Sequence, residues 1–483
     1  MDAPSNAPTG AAHTSAEAPR HGPAASGRPF GPRFVTPMFM GSALNPINSS
    51  VIATALVSIA SAMGVSVGQT SILISSLYLT SAIAQPTAGR LAEEFGPRRV
   101  FLAGILIVLL GGFLGGVGQD MPMLVVARVL IGLGTSAGYP SAMLLIRRRA
   151  TDVGLKTPPG SVLGGLAIAG AATVAIGPTI GGLLVGWSSW RAAFLINIPV
   201  AGAALVMAVF WIAKDRDPVC GRSARETISR IDLAGVVSFG ATMTALLVFL
   251  LSLPNPDWTA LGCAVAMAVV MVWWELRARN PFLDVRLLVS NLPLTRTYLR
   301  NALTLLGTYV ILYGLTQWIE AARGLSAYEA GLILIPMGVL SAVSARVVSQ
   351  RQAIRKPLIA AALFMLAGAV ATLFLNSHSP IGAIIAITAL FGLASGSSNV
   401  TNQTALYKEA PAETVGTAAG LLRTFGYIGS IAASTITGLA FHAHVDDNGL
   451  RHVSLVMIGI GIVVLLMTVL DRQLARSDKT HAH

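Results

Sequence analysis

An arginine in the middle of an apolar run is the most chemically demanding residue of this chain. Arg128 lies in the stretch LVVARVLIGLG. A guanidinium at that depth of a bilayer costs roughly 3 kcal/mol or more unless it is paired or hydrated, so its default reading is functional. Snorkelling to the membrane surface is the alternative, because Arg128 stands about two turns from the end of its run. Three polar stripes accompany it at helical spacing. Asn45, Asn48 and Ser49 fall at i, i+3 and i+4; Ser395, Asn399, Asn402 and Gln403 repeat that geometry; Tyr309, Tyr313, Gln317 and Glu320 form the third. Amides buried in hydrocarbon are costly unless hydrogen-bonded, so these stripes face water, a solute or one another. Interhelical hydrogen bonding would satisfy any single one equally well; three together favour a cavity. Aromatic and amide lining with few fixed charges suits an amphipathic organic solute better than a sugar or a small ion.

Covalent chemistry has little to work with. The eight histidines fall mostly in tails and loops (His13, His21, His442, His444, His481, His483), and Cys220 and Cys263 are far apart. No catalytic residues, metal ligands or cofactor motif emerge, and a membrane-embedded enzyme is a remote alternative. Asp232, Glu275, Glu320, Glu329 and Asp471 all sit near the ends of apolar runs. Glu320 and Arg128 are the candidates for handling a proton, with Glu93 able to take part from a loop.

The elements that must position these residues are membrane helices. Residues are 54% hydrophobic and only 11% charged, about half the charge a soluble domain carries. A span needs about 20 mostly apolar residues. Such windows fall at 36–58, 69–88, 100–119, 122–145, 160–184, 191–213, 233–252, 258–275, 301–319, 328–346, 357–376, 380–405, 414–440 and 452–470. With the N-terminus inside, nearly all of the 33 basic residues fall in the tails and the even-numbered loops. The exceptions are Arg191, Arg323 and Arg451 in the opposite loops, and Arg128 and Arg423 within helices. A missed helix would invert this asymmetry, so the pattern gives fourteen spans with both termini cytoplasmic. The net charge of +12 is thereby a topology signal, and nucleic acid is not an expected partner. Residues 1–35 read as a disordered cytoplasmic tail without a signal peptide. Six-helix bundles at 36–213 and 301–470 follow, with two inserted helices at 233–275, linkers at 214–232 and 276–300, and a tail at 471–483.

Motifs add a resemblance. The loop Gly89-Arg-Leu91-Ala-Glu93-Glu-Phe-Gly96-Pro-Arg98-Arg99 resembles the loop between helices 2 and 3 of the major facilitator superfamily. Its glycines permit a tight turn, and in that family its acid and bases pair with helix ends to latch one conformation. Glu94 and Pro97 stand where the family usually has basic residues. Gly177-Pro178-Thr-Ile-Gly181-Gly182 is similar to the helix-5 motif of the family's antiporters, and Trp190 to Pro199 looks like the entry to helix 6. Arg128 matches the family's helix-4 arginine, implicated there in proton handling, with Ile131 where glutamine is common. Glu275 to Asp284 and Gly324 to Gly331 resemble the fourteen-helix drug:proton antiporter branch.

The resemblance implies an all-α major facilitator fold, in which two six-helix bundles flank two inserted helices and the substrate site lies between the halves. It also implies proton-coupled efflux of hydrophobic or amphipathic small molecules by alternating access, from a monomer in the inner (plasma) membrane. A metabolite permease not driven by protons is the alternative. One departure bears on the driving force: where the branch carries a helix-1 aspartate, this chain has Asn48, which cannot titrate.

Overall fold

The computed structural model describes residues 29–155, 159–215, 232–253, 255–279, 281–350, 353–410, 415–471 and 474. The N-terminal tail up to residue 28, Cys220 and most of the first linker and C-terminal tail therefore lie outside the described residues. Helices occupy all fourteen expected positions. The first is α1 (Pro32–Val51), which runs through a 3-10 turn into Leu56–Met63. Next come α2 (Ser71–Phe95), α3 (Pro97–Val117), α4 (Met121–Asp152), α5 (Gly160–Trp187) and α6 (Ala192–Trp211). The inserted pair is α7 (Leu233–Leu251) and α8 (Trp258–Glu275). The last six are α9 (Leu292–Ala321), α10 (Ala327–Ser349), α11 (Arg355–Leu373), α12 (Ile381–Glu409), α13 (Val415–Ala440) and α14 (Asp447–Leu470).

By length and composition, 10 of these helices among the described residues can cross a membrane, or 11 if bent α1 is one span. The segments of α1 meet at 62°, where the 3-10 turn interrupts the regular ladder at Ala55. The other helices are α2, rich in Ser, Thr and Gln; α5, half-composed of Gly and Ala in its first turns; and α13.

The main boundary correction concerns α9. It starts at Leu292, capped by the Asn291 side chain on the Leu294 amide, so part of the expected linker at 276–300 is helix. Arg300 is thus no loop residue. It is fully buried, donating to Asn402 Oδ1 at 2.8 Å and to Thr297 Oγ1 at 2.8 Å. Thr297 in turn donates to Glu409 at 2.7 Å.

Helix pairing repeats along the chain. In the first half α5 packs on α1, α4 on α2 and α3, and α6 on α1 and α3; in the second, α13 packs on α9, α12 on α10 and α11, and α14 on α9 and α11. Each pair of the second half is the first-half pair advanced by eight helices. Across the molecule the halves meet through α2 with α13 and through α5 with α10, which the same eight-helix advance exchanges. Two related bundles around an approximate two-fold axis satisfy both observations. The inserted pair lies outside this arrangement, α7 resting on α2 and touching α13.

Loop contacts define two ends of the bundle. At one, Asp215 after α6 meets the α2–α3 loop and Arg148 of α4, Arg90 donates to the Pro281 carbonyl, and Arg296 pairs with Asp471. This is the basic end. At the far end Arg191 reaches the Gly118 carbonyl, Arg323 the Ser379 carbonyl, and Trp318 donates to Asp447.

Candidate functional site

Between the halves lies a cavity of about 220 Å³. Its floor comes from α1 (Ser42, Asn45, Ser49), α2 (Tyr78) and α9 (Thr308, Tyr309). Its flanks come from Tyr139 and Met143 of α4, Asn399 and Gln403 of α12, and Arg423 and Tyr427 of α13. Several of these residues lie within two to four turns of the basic end, so the space reaches toward that end. A second cavity, of about 350 Å³, is apolar and peripheral: it lies at the far end between α7 and the α2–α13 seam, and no residue of the three polar stripes lines it.

Of the three stripes, the structure brings part of each to the central cavity. Asn45, Ser49, Tyr309, Asn399 and Gln403 line it; Asn48, Tyr313, Gln317 and Asn402 do not. Asn45 spends its amide hydrogens on Ser81 (2.9 Å) and Thr135 (3.0 Å), so its carbonyl oxygen is the group with capacity for a solute. Asn48, one turn further, points the other way. It forms a reciprocal amide pair with Asn197 of α6 (2.6 and 2.8 Å) and donates to the Leu44 carbonyl. Asn402 holds Arg300.

Arg128 is 1% exposed, and it does not snorkel. Its Nε donates to the Leu73 carbonyl at 2.8 Å and its Nη1 to the Asn48 carbonyl at 3.0 Å, which ties α1 and α2 to α4. Tyr313 sits nearby, donating to the Ser49 carbonyl at 2.9 Å and lying 3.0 Å from the Tyr78 hydroxyl. Tyrosines continue across the site: Tyr78 meets Tyr309 edge-on at 5.3 Å, and Tyr309 stacks on Tyr313 at 5.5 Å. Tyr427 bonds Gln85 across the α2–α13 seam. Glu320 and Gln317 lie one turn apart near the far end of α9, both buried, each with an oxygen lacking a protein donor.

The far end is closed by small residues. Thr179 of α5 donates to the Gly331 carbonyl at 3.0 Å. A Cβ on Gly331 would lie 2.8 Å from the Pro178 carbonyl, and one on Gly182 would strike the Ala327 carbonyl of α10. On the inner side of the same motif, Gly177 and Gly181 seat α5 against Ser50 and Val51 of α1. On α13, Gly429 seats against Ala302 of α9 and Gly438 against Ser71 and Gly68 before α2. The helix-5 motif is thus half of a symmetric seal.

The α2–α3 loop is organised by a residue the motif does not contain. Gly96 has φ +98°, and a Cβ there would overlap the Asp215 carboxylate. That carboxylate accepts from the backbone amides of Arg98 (3.2 Å) and Arg99 (2.9 Å) and sits 3.6 Å from Arg148. It caps the positive N-terminus of α3. Glu93 is exposed, Leu91 half-buried, and Gly89 faces Pro140 at ordinary contact distance. Spacing did not single out Asp215, Asn197, Tyr78, Tyr139 or Tyr427. Arg423 stood out as a basic residue inside a helix, but no partner in the sequence marked it as a cavity group.

A seal and a cavity between repeated six-helix halves are the architecture of a membrane carrier. The sequence profile of the Major Facilitator Superfamily matches residues 38–434, and the chain belongs to that family. It is 34% identical over 441 residues to the MFS-type transporter YwoD of Bacillus subtilis, covering 90% of this chain and 96% of that protein. The tetracenomycin C resistance and export protein of Streptomyces glaucescens is 28% identical over 453 residues, covering 91% and 80%. The multidrug efflux pump LfrA of Mycolicibacterium smegmatis is 26% identical over 412 residues, covering 83% and 79%. A structure from work on proton dependent oligopeptide transporters superposes with TM-score 0.64 at 15% identity, covering 93% of this chain and 99% of that one. The nucleoside transporter NupG gives 0.60 at 11%, covering 90% and 99%. Both share the fold. The chain is accordingly a transporter and not an enzyme.

One consequence for stability follows from the amide pair. Asn48→Asp replaces a donor by a carboxylate facing the Asn197 and Leu44 oxygens. Each lost buried bond costs about 1–3 kcal/mol. The purified variant is expected to melt well below wild type in detergent; an unchanged or raised Tm sinks this account of Asn48.

Proposed function

We propose that the chain is a secondary active exporter of hydrophobic or amphipathic small molecules, spanning the inner membrane fourteen times with both termini cytoplasmic. The basic end is then the cytoplasmic one, and the structure is an inward-facing state with its outer seal closed. The observation that carries the reading is the cavity between the halves, lined by tyrosines and amides. Such a wall offers large apolar contact with a few polar anchors, as sites for organic solutes do. Relatives named for antibiotic export and multidrug efflux support the direction of transport. The two bundles rock about the cavity, and the α5–α10 and α2–α13 seams open and close. Protons drive the cycle through Glu320, while Arg128 holds the α1–α2–α4 junction.

A proton-independent facilitator is the second reading, and the Asn48–Asn197 pair favours it: among the described residues that line the cavity there is no Asp or Glu. Deleting the gene should raise accumulation of amphipathic compounds in cells, and overexpression should lower it. No change over a broad panel of such compounds overturns export. In proteoliposomes, transport that ignores an imposed pH gradient decides for the facilitator.

A further inference from the structure

The cavity has a sign. Among its lining residues Arg423 is the one with a fixed charge; the rest are apolar, amide, hydroxyl or phenol groups. Arg423 stands about two turns into α13, and its guanidinium carbon is 3.5 Å from the centroid of the Tyr139 ring on α4. That contact joins the two halves across the mouth of the cavity. Among the described residues no carboxylate pairs with Arg423. Stacking uses the flat face of a guanidinium and leaves its N–H edge available. A guanidinium carries five N–H donors.

We propose that the cavity selects anionic aromatic amphipaths, such as one- or two-ring carboxylates, with Arg423 as charge anchor and the tyrosines as the ring-binding wall. The inference rests on reading this cavity as the transport site. A carboxylate accepts two parallel N–H bonds from a guanidinium, and here it meets no competing acid. The aromatic part of the solute then lies among Tyr78, Tyr309 and Tyr427, whose rings approach one another at 5.3 and 5.9 Å. A cationic solute of the same shape meets an uncompensated like charge in a space of about 220 Å³.

The test is equilibrium dialysis on the full chain in nanodiscs of zwitterionic phosphatidylcholine. Three probes of one shape are used: 2-naphthoate, 2-naphthamide and 2-naphthylmethylammonium. Wild type is expected to bind the naphthoate about tenfold or more tighter than the other two, the range of a charge-assisted bidentate contact. Arg423→Gln should erase that preference by lowering naphthoate affinity to the level of naphthamide, and a monodisperse gel-filtration profile like that of wild type certifies the fold of the variant. Arg423→Lys should retain part of it. A preference for the ammonium, or naphthoate binding indifferent to Arg423→Gln, overturns the proposal. If all three probes bind wild type alike, anion selectivity falls and the cavity stands as a site for amphipaths. If none binds, both readings fall.

Discussion

Gly182→Leu is expected to abolish export while the protein still inserts, with drug accumulation in cells rising to that of a strain lacking the gene. The reason is geometric. A Cβ at Gly182 strikes the Ala327 carbonyl and comes within 3.1 Å of the Ala327 carbonyl carbon and 3.3 Å of Gly331 Cα. All three neighbours are backbone, which cannot rotate away as a side chain does. Relief requires α5 and α10 to move apart, and overpacking of this kind costs about 1–3 kcal/mol or more. For a two-state carrier that cost lowers the population of the outward-sealed state roughly tenfold to a hundredfold. Sealing is read directly at Ser434, fully buried against Ser75 in the other seam. With Cys220 and Cys263 replaced by Ser, Ser434→Cys should react slowly with a membrane-impermeant maleimide, and much faster once Gly182→Leu is added. Gly202→Leu is the control, because a Cβ there meets nothing within 4 Å. Equal labelling and export in Gly182→Leu and Gly202→Leu would falsify the seal.

What the sequence revealed here, and what it hid, follows from the range of the interactions involved. Apolar runs and basic loops are local, so helix positions and the two ends of the bundle could be read. Arg300 could not. An arginine near a run's edge reads as a loop marker, and the partner that buries it, Asn402, lies 102 residues away. Polar stripes gave the face of a helix but not the occupant: Asn45 and Asn48 share a stripe, yet one borders the cavity and the other meets Asn197. Tyrosines were harder still, since a tyrosine in an apolar run carries no sign of the ring opposite. The α2–α3 motif located its loop, while the acid that organises it, Asp215, comes from the segment just after α6. Glycines were the most legible part of the site. They mark close approach, and only the partner helix had to be supplied by the fold.

Glu320→Gln should uncouple transport from the pH gradient and spare substrate exchange. Glu320 is 7% exposed, and one of its carboxylate oxygens has no protein donor. It does not stand alone. Tyr309, Tyr313, Gln317 and Glu320 follow one another at i, i+4, i+8 and i+11, on one face of α9. Tyr309 lines the cavity, Tyr313 bonds Ser49 and Tyr78, and Gln317 is buried between that network and Glu320. A polar line thus runs from the central cavity toward the sealed end, and at its end stands a carboxyl group. Glutamine keeps the shape and a hydrogen-bonding head but exchanges no proton, so it separates titration from architecture. One pH unit across the membrane is worth about 1.4 kcal/mol per proton, hence about tenfold accumulation for one-to-one exchange. Proteoliposomes of wild type should approach that ratio under an imposed gradient of one unit, and Glu320→Gln should equilibrate without accumulation. Counterflow with substrate on both sides and no gradient should be equal for the two. Accumulation by Glu320→Gln at the wild-type level removes Glu320 from the coupling step. Loss of counterflow as well would assign it to holding the seal instead, because a group needed only for protons leaves exchange intact.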